Sequence, residues 1–126
     1  MSTIKADNIA TLAGVSTSMA NAVNGSAKAW VNFNGSGTVA IRQSYNVSSI
    51  TDNSNGDYTV NFSTAFADTN YAPIVTVSRG NNENELYPNL AGTSRSPSTG
   101  SIRMYLRNPF SSAAEDSDNV NVAIFR

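Results

Sequence analysis

Two groups of carboxylates are the residues of this chain that are best suited to chemistry. Glu83 and Glu85 alternate along one polar stretch, and Glu115, Asp116 and Asp118 cluster in another. A pair of carboxylates can hydrolyse a glycosidic bond, with one acting as acid and the other as base or nucleophile. Few apolar residues surround either group to raise a carboxyl pKa. We therefore interpret both groups as charge on solvated loops.

The run at 115–119 could alternatively offer oxygen ligands to Ca²⁺. Its spacing matches no EF-hand loop and it contains no glycine for the sharp bend, so an acidic surface loop is the simpler interpretation. The chain has neither histidine nor cysteine. Ser–His and Cys–His nucleophiles, histidine metal ligands, thiolate zinc sites and disulfides are therefore excluded. We predict no enzyme, no catalytic residue, no metal and no cofactor.

Two features suit binding instead. Arg103, Tyr105 and Arg107 are expected on the outward face of one strand, where guanidinium groups and a flat ring could contact a sugar, a carboxylate or a neighbouring subunit. Trp30 is expected to point away from the apolar side chains next to it, which favours burial at a subunit interface. The alternative is that a sheet edge or the N-terminal segment covers these side chains.

The elements that position these residues are predicted from alternation of apolar and polar side chains, which is typical of half-buried β-strands. The clearest case is Gly-Asp-Tyr-Thr-Val-Asn-Phe-Ser at 56–63. The inward positions along the chain are predicted to be Ala29, Val31, Phe33, Val39, Ile41, Tyr45, Val47, Tyr58, Val60, Phe62, Tyr71, Pro73, Val75, Val77, Ile102, Met104, Leu106, Val120, Val122 and Ile124.

About seven or eight strands at roughly 8–15-residue spacing predict an all-β antiparallel β-sandwich or barrel, and we favour the sandwich. Turns are predicted at 34–37 and 52–56, where glycine permits a left-handed backbone. Pro73 is expected at a sheet edge or near the start of its strand. A short strand is predicted over Leu86–Leu90. The β-sandwich domain spans 27–126, and its open sheet edges must be covered, bulged or paired with another subunit.

Residues 1–26 form a separate N-terminal anchor or assembly segment without aromatic residues. We predict either a helix that docks on a partner or an extended arm that orders on assembly; the alternative is a frayed terminus. As a helix, the segment would begin at Asp7 and stop at Gly25. Its apolar face, the candidate anchor, would carry Ile9, Leu12, Met19 and Val23.

The composition of the chain limits the classes of molecule that it is expected to bind. Charged residues make up 13% of the chain, whereas it has 17 Asn, 18 Ser and 11 Thr. Uncharged polar groups solvate a pleated surface and also permit close contact with a sugar or another chain. With a net charge of −1 and no basic stripe, nucleic-acid binding is not expected. Neither a signal peptide nor a membrane span of roughly 18–20 apolar residues is visible, so we expect synthesis in a cytoplasm and no membrane insertion.

A family resemblance is carried by the first strands. Ala-Lys-Ala-Trp-Val-Asn-Phe-Asn-Gly-Ser-Gly-Thr-Val-Ala-Ile-Arg at 27–42 resembles a module of phage tail-fibre and virion appendage proteins, especially those of marine and cyanobacterial phages. The similarity continues through 45–53 and 56–62 and ends at Ala-Asp-Thr-Asn-Tyr-Ala-Pro, 67–73. Residues 60–77 also look like the central strands of H-type lectins and lectin-like fibre-tip domains. That second likeness implies a homotrimer that binds sugars in clefts between subunits.

The resemblance implies a phage virion surface structural protein, made in the host cytoplasm and located on the virion. It would be a trimeric fibre or knob module for host-surface attachment, joined to other virion proteins by residues 1–26 and contacting a host surface glycan. One alternative is a capsid decoration protein, that is, a head fibre or cement protein. A second is a free lectin-like carbohydrate-binding protein.

Overall fold

A computed structural model describes residue 2 and residues 6–78, 87–90, 97–108 and 110–126, with the backbone alone for 87–90. Over these residues the chain forms short β-strands and one helix of six residues. In chain order, the elements are β1 Asn8–Ala10, β2 Ser16–Ser18, α1 Met19–Asn24, β3 Ala27–Asn34, β4 Ala40–Tyr45, β5 Val47–Ser54, β6 Asp57–Phe62, β7 Ala72–Ser78, β8 Tyr87–Leu90, β9 Ser101–Arg107 and β10 Asn119–Phe125.

Two antiparallel sheets face each other across one hydrophobic core. In the described part of the chain, sheet I has the strand order β4-β3-β10-β7 and sheet II the order β5-β6-β9-β8. Side chains of both sheets form a single buried cluster, in which the rings of Phe33 and Tyr58 meet edge to face at 5.3 Å between centroids. The all-β antiparallel sandwich predicted from the sequence is therefore confirmed.

The core comes from alternate positions of the central strands. The predicted inward residues of β3, β6, β9 and β10 are all buried. Each buried aliphatic or aromatic side chain of this kind contributes about 1.5–3 kcal/mol relative to an exposed one. On β7, which lies at the edge of sheet I, Val75 and Val77 pack against the core but stay half-buried. Period-2 alternation thus positions the outward side chains as well, because they occupy the intervening positions.

The prediction for β4 was wrong at Tyr45, which is exposed. The register between β3 and β4 shifts between Asn32 and Phe33, because one extra residue of β4 is accommodated there as a bulge. Beyond the bulge, Tyr45 pairs with the outward Trp30 and shares its face. Ile41 pairs with the inward Phe33 but remains exposed because β4 is at the sheet edge.

Two glycines permit the turns that close one end of the sandwich, which we call the far pole. Gly56, at the predicted β5–β6 turn, has φ 65°, and a Cβ there would lie 2.7 Å from backbone atoms of Leu106 and Glu115. Gly35 follows β3 with an ordinary φ; a Cβ there would lie 2.7 Å from the Tyr58 hydroxyl. Both turns are therefore places where other parts of the chain approach the backbone closely.

The N-terminal segment is a hairpin followed by a helix, and the long helix considered from the sequence is wrong. β1 and β2 pair antiparallel, with a turn in which Gly14 has φ 79°. Helix α1 begins only after Ser18, whose side chain accepts a hydrogen bond from the Asn21 backbone, and ends at Gly25 as predicted. β-Branched residues around the left-handed Gly14 favour the hairpin over a helix. Asp7 is not a helix cap; its carbonyl accepts a hydrogen bond from Met19.

The remaining strand predictions agree with the structure. Pro73 is the second residue of β7 and Pro88 lies in β8, and both strands occupy sheet edges, where a missing backbone donor is tolerated. The short strand predicted at 86–90 is observed as Tyr87–Leu90; Leu86 and the polar stretch 79–85 lie outside the described residues. No helix among the described residues is long and apolar enough to span a membrane.

Candidate functional surfaces

The three predicted binding residues of β9 do share the outer face of sheet II, but they are not equivalent. Arg103 forms a bidentate ion pair with Asp57, with Nε–Oδ1 at 2.7 Å and Nη2–Oδ2 at 2.6 Å. Asp57 is only 1% exposed, so the guanidinium neutralises a buried carboxylate. The hydrogen bond to Asp57 raises the pKa of Arg103. Arg103 is therefore a structural residue of this face.

Tyr105 and Arg107 remain as the candidate contact residues of β9. The guanidinium carbon of Arg107 lies 5.8 Å from the centre of the Tyr105 ring, within range for a cation–π contact. Tyr105 is half-buried and lies opposite Asp57 in the register of β6 and β9, while Arg107 is exposed at the end of the strand. Together they form a flat aromatic surface with a positive charge beside it.

Cross-strand hydrogen bonds between amides and hydroxyls cover the outer face of β5 and β6 in sheet II. Asn61 donates from Nδ2 to the hydroxyls of Ser49 at 3.1 Å and Thr51 at 2.9 Å. Asn53 donates in the same way to Thr59 at 3.0 Å. This ladder accounts for part of the high Asn, Ser and Thr content, and it gives sheet II a polar outer face.

Contacts of the acidic loop after β9 help to hold the two sheets together at the far pole. Asp116 Oδ1 lies 2.7 Å from the Gly56 backbone nitrogen and 2.5 Å from the Tyr58 hydroxyl, which also lies 2.7 Å from the Gly35 carbonyl oxygen. Burial and the neighbouring carboxylate of Asp116 raise the pKa of Tyr58 well above its ordinary value. Glu115 accepts a hydrogen bond from Asn108 Nδ2 at 2.9 Å.

These contacts correct our interpretation of Glu115 and Asp116 as solvated loop charge, whereas Asp118 is exposed as expected. Asp116 contacts the turn at Gly56 and the Tyr58 hydroxyl of sheet II, and that hydroxyl in turn contacts the Gly35 carbonyl at the end of β3 in sheet I. Within the ranges that the structure describes, no three acidic, histidine or cysteine side chains come together as a metal site would need. The other carboxylate pair, Glu83 and Glu85, lies outside the described residues.

The outer face of sheet I carries an apolar row that runs across all four strands. Tyr45, Trp30, Ala123 and Ile74 are register partners from β4 to β7. Trp30 is 37%, Ile74 54% and Tyr45 57% exposed. Because Ala123 is small and lies between two large side chains, the row contains a groove of about 320 Å³ over β10. A sheet face with this much exposed apolar surface is typical of an interaction site.

A polar row borders the groove on one side. Asn32 donates from Nδ2 to Asn121 Oδ1 at 2.7 Å and to Asn119 Oδ1 at 2.6 Å. Asn119 in turn donates to the Ser78 hydroxyl at 2.7 Å. Apolar groups at the centre with hydrogen-bonding groups beside them are the usual arrangement of a protein–protein contact.

The predicted surface residues lie on opposite sides of the sandwich. Trp30 is on the outer face of sheet I, whereas Tyr105 and Arg107 are on the outer face of sheet II. They cannot contribute to one site in a single subunit. Sequence reasoning missed Tyr45 and Ile74, which become neighbours of Trp30 only through strand pairing, and Asp57, the partner of Arg103.

The candidate anchor residues of the N-terminal segment are mostly exposed. Ile9, Leu12 and Val23 are exposed and Met19 is half-buried, but they do not share a helical face. Val15, which the sequence reasoning did not select, is exposed beside them. The hairpin also has a concave side of about 270 Å³ between its two strands and their turn. An uncharged, apolar protrusion of this kind is suited to contact with another protein.

The chain matches no family model, no curated protein and no solved structure at a significant level.

Proposed function

We propose that this protein is a phage virion surface structural protein, a homotrimeric fibre or knob module for host-surface attachment. The virion location rests on the resemblance of residues 27–73 to virion appendage modules. The observation that supports a binding module most directly is the pair of chemically different outer faces on one sandwich. One is apolar around Trp30 and suits subunit contact; the other is polar around Tyr105 and Arg107.

The mechanism would be multivalent display rather than catalysis. In this proposal, the polar outer face of sheet II contacts a host surface glycan, because tyrosine rings and guanidinium groups suit the flat faces and hydroxyls of sugars. Three weak sites on one trimer, repeated on the particle, gain avidity without any tight single site. Three of the described carboxylates, those of Asp57, Glu115 and Asp116, make hydrogen bonds within the fold, which supports binding over catalysis for these residues.

A glycan array with the full chain tests the display surface. We expect binding that is lost in Tyr105→Ala and Arg107→Ala, because the half-buried Tyr105 ring and the exposed Arg107 side chain lie beside each other on the polar face. Ser36→Ala, in an exposed turn at the far pole, is the matched control and should bind as the parent does. Glycan binding that survives both β9 substitutions would refute this assignment of the surface.

Capsid decoration is the second candidate, because the exposed apolar residues of the N-terminal hairpin suit attachment to a larger shell. Antibody labelling of virus particles, purified from the lysate in which the chain is made, tests both virion proposals against a free lectin-like protein. Label on tail or head fibres supports attachment. Uniform label on the shell, together with no binding on the glycan array, supports a capsid decoration protein. A chain that stays in the soluble fraction and binds glycans is a free lectin.

A further inference from the structure

We propose that the N-terminal hairpin of one copy docks into the Trp30–Ile74 groove on the outer face of sheet I of a neighbouring copy. The inference deepens the proposed function and rests on its self-assembly, for which it assigns the contact surfaces. Two apolar surfaces that stay exposed among the described residues motivate it: the groove over β10 and the hairpin β1–β2.

The hairpin requires a partner for physical reasons. Its strands have three residues each, and an isolated two-stranded hairpin is at best marginally stable in water. Leu12 at its tip is fully exposed, and Ile9 and Val15 are exposed as well. Apolar side chains with this exposure are not packed on the hairpin's own sandwich. A surface outside the segment must therefore cover them.

The groove on sheet I has the properties that such a hairpin needs. Its walls are Trp30 and Ile74, its floor is Ala123, and the lining residues carry no charge. Residues 8–18 carry no charge either. Contact between the two surfaces therefore desolvates no ionised group, which keeps the cost of association low. The amide row beside the groove offers hydrogen-bonding groups to the polar side chains of the hairpin, such as Thr11.

A second copy is the occupant because the same chain supplies both surfaces without joining them. A contact between two different surfaces of identical chains is heterologous, and it closes into a ring or continues into a filament. The proposed homotrimer corresponds to closure after three copies. In such a ring the outer face of sheet I is covered, whereas the polar outer face of sheet II stays accessible for display.

The absence of cysteine from the chain permits a direct cross-linking test. Two full-length variants are mixed: Ala13→Cys, at the exposed hairpin turn, and Thr76→Cys, which lines the groove. A short bis-maleimide is added, and a mass tag on one variant identifies mixed dimers. The matched control replaces Thr76→Cys by Thr51→Cys, the same change at an exposed position on the outer face of sheet II.

We expect the Ala13–Thr76 mixed product to exceed the Ala13–Thr51 product by about tenfold, because docking holds the thiols at a millimolar effective concentration. Adding Leu12→Asp to the hairpin variant should remove the excess, since a charge would enter the apolar groove. Equal yields from groove and control would overturn the proposal. Predominant Thr76–Thr76 product would also overturn it, because the sheets would then meet face to face.

A chain with both Ala13→Cys and Thr76→Cys separates docking between copies from docking within one. Products of two or more chains support the proposal, and a product confined to single chains overturns it. These outcomes are independent of the glycan array. Cross-linking without glycan binding would support the docking and refute host attachment. Glycan binding without cross-linking would support host attachment and refute the docking.

Discussion

Removing the hydroxyl of Tyr58 should destabilise the sandwich measurably, because that group joins the two sheets at the far pole. The side chain is completely buried, with its oxygen 2.5 Å from Asp116 Oδ1 and 2.7 Å from the Gly35 carbonyl oxygen. Tyr58→Phe keeps the ring in the core and its edge contact with Phe33. The change therefore removes only the hydroxyl, with its contacts to the Asp116 carboxylate and the Gly35 carbonyl.

The size of the expected loss in stability follows from the charge of the hydrogen-bond acceptor, the Asp116 carboxylate. A hydrogen bond to a charged group contributes about 1.5–3 kcal/mol, so Tyr58→Phe should lower the free energy of unfolding by about 2 kcal/mol. For a domain of this size that corresponds to a decrease in Tm of about 6–10 °C. After the substitution, Asp116 Oδ1 keeps the Gly56 backbone donor at 2.7 Å, so we expect the fold itself to persist.

Tyr71→Phe is the matched control within the same core. Tyr71 is also buried, and its hydroxyl donates to the uncharged carbonyl of Ser98 at 2.9 Å. A neutral hydrogen bond contributes about 1 kcal/mol, so the control should lose roughly half as much stability as Tyr58→Phe. Urea titrations followed by circular dichroism at neutral pH measure both free energies of unfolding.

The pH dependence gives a second, independent check. The pKa of Tyr58 is raised in the folded protein, chiefly by burial. The unfolded chain releases this proton near pH 10, at the ordinary tyrosine pKa, whereas the folded chain still holds it. The stability that depends on this proton is thus complete below about pH 10 and is lost as pH rises above that value. Above about pH 10, the difference in free energy of unfolding between the parent and Tyr58→Phe should therefore decrease by about 1.4 kcal/mol per pH unit.

Equal losses in Tyr58→Phe and Tyr71→Phe would refute the role assigned to the charged acceptor. A stability gap between parent and Tyr58→Phe that stays constant from neutral pH to pH 11 would contradict the raised pKa. Equal losses would mean that the Tyr58 hydroxyl contributes no more than a neutral hydrogen bond does.

Three further predictions concern stability and assembly. Arg103→Met should lower Tm by far more than Arg126→Met in thermal scans, because the first leaves a buried carboxylate unpaired and the second breaks an exposed pair; similar losses would contradict this. In urea unfolding, Gly56→Ala should lower the free energy of unfolding by at least about 2 kcal/mol and Gly37→Ala by about 1 kcal/mol. Both glycines have positive φ, but only Gly56 has backbone atoms close to the position of a Cβ. A larger loss in Gly37→Ala than in Gly56→Ala would refute this explanation. Trp30→Ala should raise the dissociation constant of self-association by about 30-fold or more in sedimentation velocity, with little change in Tm; unchanged association would argue against sheet I as the subunit contact.

Strand faces were predictable because each depends on a pattern within a few residues. The inward side chains of β3, β6, β9 and β10 follow directly from period-2 alternation, since a sheet buried on one side requires it. The error at Tyr45 shows where that reasoning stops. A single bulge in β4 inverts the faces that follow it, and nothing in the residues from 40 to 45 marks its position.

The polar contacts were not predictable, because they join residues far apart in the chain. Asp116 meets Tyr58 across 58 positions and Arg103 meets Asp57 across 46. Such pairs depend on sheet topology and register, which the sequence pattern leaves open. The apolar row on sheet I is of the same kind, because Trp30 and Ile74 become neighbours only after β10 is placed between β3 and β7.

The N-terminal segment was predicted least well because two weak preferences compete there. Its apolar spacing fits a helix, while β-branched residues and Gly14 fit a hairpin, and neither pattern is long enough to decide. Only the end of the helix at Gly25 was predictable, because glycine often follows the last helical residue; here it does so with a negative φ of −79°.

The central position of β3 has a mechanical consequence. This strand follows directly from the N-terminal segment and is paired with β10 from Ala27 to Phe33 on one side and with β4 from Trp30 to Asn34 on the other. If a particle pulls on that segment while the opposite end of the sandwich is held, the tension runs parallel to β3. Its hydrogen bonds to both neighbours then resist together in shear instead of opening one after another. Under the proposed attachment function, this geometry would let the strand act as a tether that withstands force.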